Sequence, residues 1–290
     1  MKKIALILLA LCVAGGTVMA EDDGLGLYVG AELLIGDLSE VSDTMGLRAY
    51  VGIDTSFDAL DVYAEAGVDV PIGGNNFIGL DINGGVDYNI AIGDKSNLKV
   101  GAGLWVFFPF DDVKGMYTDV TPYGSYAGAG GTLSTKLNLH TNVGATFTQT
   151  MDFGDLYFGL DVPFILVADG ASAFDIAELN FTAGLDMESG IGFGLTLYNW
   201  IGKGSSDFIQ NLDIFGTYEN GPLFLGLTVG VPLFKDGFKV AGLAITPEVA
   251  YTLDMGLKLY AEVPISYIGA DKDVGQDMTI GLKVGAKFSF

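Results

Sequence analysis

An alternation of apolar and polar side chains with a period of two residues recurs along most of the chain and limits what it can fold into. Residues 60–70 show it best, because every second side chain there is Leu, Val or Ala. The positions between them include Asp61, Glu65 and Asp69. Successive side chains of a β-strand point to opposite faces, so this stretch predicts a strand with one apolar and one polar face. The sequence beyond residue 20 shows no convincing 3.6-residue period of an amphipathic helix.

The same alternation divides the chain into fourteen segments, which we interpret as strands of an all-β fold. The predicted strands are residues 27–36, 45–53, 60–70, 77–91, 97–108, 132–148, 155–168, 174–188, 190–201, 208–219, 222–234, 238–252, 256–268 and 277–290. Their ends are defined only to within a few residues, so a count of 12 or 16 strands also fits the pattern.

The connections between the predicted strands are of two lengths. The short ones follow even-numbered strands and are residues 93–96, 151–154, 189–190, 220–221 and 253–255. The longer ones follow odd-numbered strands and are residues 109–131, 202–207 and 269–276. Antiparallel strands joined in sequence place alternate connections at opposite ends of a sheet. We therefore expect the short turns and both termini at one end, and the longer loops at the other.

The first 20 residues have the order of a secretory signal peptide. Two lysines precede the apolar run 4–13, and small residues then lead to Ala20. The run is shorter than the roughly 20 apolar residues that a spanning helix needs. We predict cleavage near Ala20, which leaves residues 21–290 as a single domain and removes Cys12, the only cysteine. Lipidation of Cys12 is the alternative, although Leu11 stands where a lipoprotein signal carries a small residue.

The composition argues against several classes of function. The net charge is −22, or −24 once the two lysines of the signal peptide are lost, so no nucleic-acid partner is expected. His140 is the only histidine, and no serine stands near it in a lipase-like pattern, so no enzyme activity is predicted. No cysteine and histidine cluster predicts a metal or a cofactor. The acidic segment 271–277 could hold calcium, but it lacks an EF-hand pattern and is interpreted as a solvated loop.

The last predicted strand is amphipathic to its end. Its apolar face carries Val284, Ala286, Phe288 and Phe290, and its other face carries Gly285, Lys287 and Ser289. Here the chain resembles porin-like bacterial outer-membrane β-barrel proteins, whose amphipathic final strand closes on a terminal phenylalanine used in assembly. In this resemblance, Phe288 and Phe290 are the assembly signal and the barrel-assembly machinery is a partner.

The resemblance also implies an architecture and a place in the cell. It implies a closed antiparallel transmembrane β-barrel of about 14 strands, with short periplasmic turns and longer extracellular loops. Such a protein is integral to the bacterial outer membrane and contacts its lipid. A soluble β-sandwich with one face in a core is the structural alternative, because alternation alone does not require lipid.

The polar faces of the strands carry the candidate functional residues. The predicted pore-lining acids are Asp61, Glu65, Asp69, Asp81, Asp87, Asp161, Asp186 and Glu262. Acids outnumber bases on this face about two to one, and wall carboxylates favour cations in a water-filled lumen. The sequence thus predicts a channel for passive diffusion of small hydrophilic solutes with a preference for cations. The loop 109–131 is a candidate for folding into the lumen, with Asp111, Asp112, Tyr117 and Tyr123 as the residues concerned.

Two other functions fit the same sequence. A surface-exposed barrel with a closed lumen would act as an adhesin or a structural protein through its loops. A transporter of hydrophobic compounds would use the aromatic residues of the polar faces, which are Tyr28, Tyr63, Trp105, Phe107, Tyr157, Tyr198 and Tyr260. The sequence does not indicate an oligomeric state.

Overall fold

In the described segments, apolar residues such as Val, Ile, Leu and Tyr alternate with polar or small residues such as Thr and Gly. This alternation produces strands almost throughout. The computed structural model describes residues 25–72, 79–109, 119–121, 124–126, 138–167, 175–176, 178–200, 210–234, 239–240, 242–268 and 277–290. The predicted signal peptide, residues 1–20, lies outside them.

The strands are numbered in chain order. They are β1 (Leu25–Ile35), β2 (Met45–Phe57), β3 (Leu60–Pro71), β4 (Gly79–Ala91), β5 (Ser96–Pro109), β6 (Asp119–Thr121), β7 (Gly124–Tyr126), β8 (Asn138–Met151), β9 (Gly154–Val167), β10 (Asp175–Ile176), β11 (Glu178–Met187), β12 (Ile191–Trp200), β13 (Gln210–Asn220), β14 (Leu223–Phe234), β15 (Lys239–Val240), β16 (Gly242–Thr252), β17 (Leu257–Glu262), β18 (Ile265–Ile268), β19 (Asp277–Ile280) and β20 (Leu282–Ser289). One helical turn, α1 (Val41–Thr44), lies in the connection between β1 and β2.

Eighteen of these segments form one antiparallel sheet, and β6 pairs only with β7 in a separate ladder. Four strands of the sheet are each divided into two segments that pair with the same neighbouring strands. These segments are β10 and β11, β15 and β16, β17 and β18, and β19 and β20. The eighteen segments therefore form fourteen strands. The sheet closes on itself, because β20 pairs with β1 over eight residue pairs, from Tyr28 with Ser289 to Ile35 with Leu282. The predicted closed barrel of fourteen antiparallel strands is confirmed.

The short connections lie at one end of the barrel, as predicted. They are residues 58–59, 92–95, 152–153, 188–190, 221–222 and 253–256. Tight turns of this kind need residues with positive φ, and Gly221 (φ 58°) and Asp58 (φ 52°) supply it. The start of β1 and the end of β20 lie at the same end, where the Phe290 N–H donates to the Leu27 carbonyl at 2.9 Å. The described strand ends that the longer connections join lie at the other end.

The barrel is apolar outside and polar inside. Large apolar side chains on the outer face are half exposed all around it, as at Phe158 (51%), Ile214 (51%) and Leu227 (48%). Among the described residues the most deeply buried include Asp81 (1%) and Tyr50 (8%). A soluble sandwich has the reverse distribution, whereas hydrocarbon requires an apolar surface and a sheet without free edges. The structure therefore has the arrangement of a membrane-spanning barrel.

The structure differs from the predicted strands at several points. The helical turn α1 was not predicted, because four residues are too few for a helical period to show in the sequence. The predicted strand 256–268 is interrupted at Pro264, which has no N–H to give to the ladder, although Val263 still donates to the Pro247 carbonyl at 3.0 Å. Among the described residues, no helix is both long and apolar enough to cross a membrane.

Candidate functional site

Large side chains on the inner face lie over glycines of the neighbouring strand. Tyr28 pairs with Gly52, Tyr50 with Gly30 and Tyr260 with Gly285 in the strand register. In each case a Cβ on the glycine would overlap the tyrosine ring. The same arrangement joins Tyr63 to Gly85, Tyr157 to Gly184 and Phe215 to Gly194. Aromatic rings that cover glycines in this way lie along the wall, which leaves the middle of the lumen free of them.

Several predicted pore-lining acids occupy the same kind of position. Asp81 lies over Gly67 and Asp87 over Gly101, each pair being opposite in the register. The frequent inner-face glycines thus make room for acids and aromatics on the next strand. The many glycines and the large inward side chains therefore belong to one packing pattern, in which a large side chain lies over a glycine.

One side of the interior is filled by an ionic cluster centred on Arg48. The Arg48 Nη2 group lies 2.8 Å from Glu65 Oε1 and 2.6 Å from Asp81 Oδ2. The Tyr28 hydroxyl donates to Glu65 Oε2 at 3.0 Å. The Arg48 guanidinium lies 5.4 Å from the centroid of the Tyr50 ring. Contacts between strands that are not neighbours are possible only on the concave face, so these side chains line the interior.

The cluster continues across the seam where β20 meets β1. The Tyr260 hydroxyl donates to Glu32 Oε1 and lies 3.2 Å from the Tyr50 hydroxyl. Lys283 Nζ lies 3.0 Å from Glu262 Oε1 and 3.7 Å from Glu32 Oε1. We call this set the seam cluster; its residues are Tyr28, Glu32, Arg48, Tyr50, Glu65, Asp81, Tyr260, Glu262 and Lys283. It consists of four acids, two bases and three tyrosines packed on one half of the wall, so its carboxylates are only partly compensated.

The predicted pore-lining acids therefore fall into different environments. Glu65, Asp81 and Glu262 belong to the seam cluster. Asp69 faces inward opposite Arg48 in the register, and its buried Oδ2 has no hydrogen-bond partner among the described residues.

A second group of the predicted acids lies further around the wall. Asp61 and Asp87 share Lys99, whose Nζ lies 3.4 Å and 3.8 Å from their carboxylates. Asp61 also accepts hydrogen bonds from Ser56 and Asn89. These two acids are thus partly compensated by one base.

The opposite wall, from β8 to β16, has a different charge pattern. Between residues 138 and 252 the sequence has only three basic residues, Lys203, Lys235 and Lys239, and the side chains of all three lie outside the described residues. The inner face of this wall carries Asp161, Asp186 and Asp213. Within the part of the chain that the structure describes, none of these three acids has an ion pair. We call the part of this wall that carries these acids the base-free wall, because no Lys or Arg side chain among the described residues lies on it.

A cavity of about 240 Å³ opens on the inner face between the group around Lys99 and the base-free wall. It is lined by residues of β4, β5, β8, β9, β11 and β12, including Asp87, Lys99 and Asp161. Gly101, Gly144 and Gly159 lie among its lining residues, so small side chains create the space. The lining combines carboxylates, hydroxyls and amides with apolar groups such as Ala145 and Leu160.

Other predicted residues are placed as follows. Asp111, Asp112, Tyr117 and Tyr123 lie outside the described residues, as does the side chain of His140. The rings of Phe288 and Phe290 pack edge to face with centroids 4.7 Å apart near the end of β20. Among the residues that the structure describes, no group of three or more His, Cys, Asp or Glu side chains is arranged to hold a metal ion.

Sequence reasoning missed Tyr50, although its alternation with Arg48 places both on the inner face of β2. It also missed which inner residues meet, since Arg48 and Asp81 are 33 positions apart. The alternation of inward and outward side chains along β2 was the signal that could have identified Tyr50. The contact partners depend on the register between strands, which this alternation does not define.

Comparison with known proteins finds similarity in fold. No protein-family model matches the sequence, and no curated protein matches it. The toluene transporter TodX of Pseudomonas putida aligns over 97% of this chain and 92% of its own, with 11% identity and a TM-score of 0.53. OmpF of Salmonella typhi, solved in complex with daunomycin, aligns over 92% of this chain and 97% of its own, with 9% identity and a TM-score of 0.50. At such identities the likeness concerns the barrel fold alone.

Proposed function

We propose that this chain is a channel of the bacterial outer membrane that passes small hydrophilic solutes and prefers cations. The observation that carries the proposal is the base-free wall, whose acids Asp161, Asp186 and Asp213 have no ion pair among the described residues. Fixed charges on a pore wall set the local potential and raise the concentration of counter-ions. The seam cluster adds to that potential, because its four acids exceed its two bases.

Planar bilayers under a gradient of KCl test this proposal directly. The reversal potential gives the permeability ratio of K⁺ to Cl⁻, and we expect K⁺ to be preferred at 0.1 M salt. The preference should shrink at 1 M, because the Debye length falls from about 10 Å to about 3 Å. Chloride preference at low salt would contradict cation selectivity, and the absence of discrete conductance would favour the closed-lumen barrel.

A pair of variants connects the selectivity to the base-free wall. The double variant Asp161→Asn/Asp213→Asn should lower the K⁺ to Cl⁻ permeability ratio. Asp152→Asn is the control, because Asp152 lies in an exposed turn and its side chain is 96% exposed. Equal ratios in all three proteins would exclude the wall as the source of selectivity.

A transporter of hydrophobic compounds is the second candidate, supported by the likeness to a toluene transporter in fold. The interior weighs against it, because the described inner aromatics Tyr28, Tyr50 and Tyr260 cover glycines along the wall. The cavity also exposes the carboxylate of Asp161, and burying a charge beside an apolar compound is unfavourable. Swelling assays of vesicles with sugars, beside toluene uptake into the same vesicles, separate the two functions. Toluene uptake without sugar permeation would overturn the hydrophilic channel.

The outer-membrane location is part of the same proposal. It has support in the barrel fold, in the signal-like residues 1–20 and in the terminal Phe290. The short turns would then be periplasmic and the longer loops extracellular. Phe290→Ser tests the role of the barrel-assembly machinery: the variant should accumulate in the periplasm while the purified protein still folds in detergent. Normal assembly of that variant would exclude Phe290 as an assembly signal.

A further inference from the structure

The cavity on the inner face has a net negative lining. Its charged residues are Asp87, Lys99 and Asp161. Lys99 is compensated twice, by Asp87 and by Asp61 just outside the cavity. Asp161 has no ion pair among the described residues and stands on the base-free wall. A charged solute in this cavity is therefore favoured when it is a cation.

Asp161 is held in place by the chain itself. The Asn142 amide donates to Asp161 Oδ1 at 3.0 Å, and Asn142 also lines the cavity. A carboxylate accepts about four hydrogen bonds in total, so Asp161 keeps capacity for a donor on a solute. Asp161 is opposite Asn180 in the register, and Gly144 on its other side makes room for the carboxylate, whose Oδ1 would lie 3.1 Å from a Cβ at that glycine. The carboxylate is thus oriented before a solute arrives.

Hydroxyl and amide groups complete the lining. Thr182 and Thr196 share a hydrogen bond at 3.1 Å between their hydroxyls, and both line the cavity with Thr146. Such groups bind hydroxyls of a solute as donors or acceptors.

We propose that this cavity binds a small solute that carries a protonated amine and several hydroxyl groups, with Asp161 accepting a hydrogen bond from the ammonium. The inference rests on the proposed channel function and names the class of solute that pauses in the lumen. About 240 Å³ has room for a solute of the size of a single sugar ring. Anions are disfavoured by the lining charge, and apolar compounds by the carboxylate of Asp161.

Glucosamine and glucose form a matched pair of probes, because they differ only in one group: glucosamine has an amine where glucose has a hydroxyl. Saturation-transfer NMR on the full mature protein in detergent micelles at pH 6, where glucosamine is protonated, measures binding without any need for conductance. We expect glucosamine to bind and glucose to bind at least about tenfold more weakly. Asp161→Asn should weaken glucosamine binding by about tenfold or more and leave glucose unaffected. Heat-modifiable migration on gels verifies that each variant is folded.

Asp186→Asn is the control for a general loss of negative charge. Asp186 stands on the same wall but does not line the cavity, so glucosamine binding should change by no more than about twofold at 0.1 M salt. Equal binding of glucose and glucosamine, or full glucosamine binding by folded Asp161→Asn protein, overturns the proposal. Glucosamine binding by a protein that shows no conductance in bilayers supports the site and contradicts the channel, so the two failures are distinguishable.

Discussion

Tyr260 donates a hydrogen bond to Glu32 over the backbone of the last strand. Tyr260 lies on β17, Glu32 on β1, and both are opposite Gly285 of β20, which runs between them. Only a glycine at that position leaves room for the tyrosine ring to cross. The contact joins the two ends of the sheet through side chains as well as through the ladder. It is a consequence of closure, and it also stabilises closure.

The same arrangement occurs once more in the next part of the wall. Tyr28 of β1 crosses Gly52 of β2 and donates to Glu65 of β3 at 3.0 Å. In both cases a tyrosine, a glycine and a glutamate stand in one row across three strands. Neither the rings nor the carboxylates then project toward the centre of the barrel.

The Tyr260→Phe variant removes the hydroxyl and keeps the ring over Gly285. Glu32 loses its hydrogen bond, and we expect the free energy of unfolding to fall by about 1 to 3 kcal/mol. Urea titration of the protein folded into phospholipid vesicles measures it. Tyr251→Phe is the control, because Tyr251 is on the outer face and 47% exposed. An equal loss in both variants would show that the contact with Glu32 does not stabilise the barrel.

Gly285→Ala tests the space that the glycine provides. A Cβ there would overlap the Tyr260 ring, so the ring must move and its hydrogen bond to Glu32 is lost. We expect a loss of about 1 to 3 kcal/mol, the usual cost of overpacking. Gly216→Ala is a matched control, because a Cβ at Gly216 has only the Gly192 carbonyl oxygen near it, at 3.9 Å. That variant should be neutral or slightly more stable, and the same urea titration would reveal the opposite order.

Arg48→Gln tests the centre of the seam cluster. Glu65 and the buried Asp81 would lose their only cation within ion-pair distance among the described residues. Breaking a buried ion pair from one side costs about 3 to 5 kcal/mol, and we expect a loss of that order or failure to fold. Lys99→Gln is the comparison, since Lys99 is 43% exposed and should cost about 1 kcal/mol or less. If adding Asp81→Asn to Arg48→Gln restores no stability, the explanation by an unpaired carboxylate is wrong.

The sequence predicts most of the fold, because a barrel wall repeats one simple rule. Fourteen strands, their inner and outer faces and the end with short turns all follow from alternation and from turn residues such as Gly221. The break at Pro264 and the helical turn α1 were missed, because each involves only a few residues.

The candidate site is less predictable, because its contacts depend on register and on barrel curvature. The alternation along each strand places Tyr260 and Glu32 inside, but they are 228 positions apart in the sequence, which gives no sign that they are in contact. The number of inner acids also does not show that Glu65 and Asp81 share the cation Arg48, whereas Asp161 has no ion pair among the described residues. Only the strand register separates the two kinds of acid.

Leu227→Lys tests which face of the barrel meets lipid. Leu227 lies near the middle of β14 on the outer face and is 48% exposed. A lysine at the bilayer midplane of such a barrel costs about 2 to 4 kcal/mol, so we expect less folded protein in phospholipid vesicles and a lower urea midpoint. Thr228→Lys changes the next residue, which faces the lumen, and should have a smaller effect because water and the inner acids solvate the ammonium. Heat-modifiable migration gives the folded fraction of both variants. A larger loss for Thr228→Lys than for Leu227→Lys would mean that the apolar face is not the one in contact with lipid.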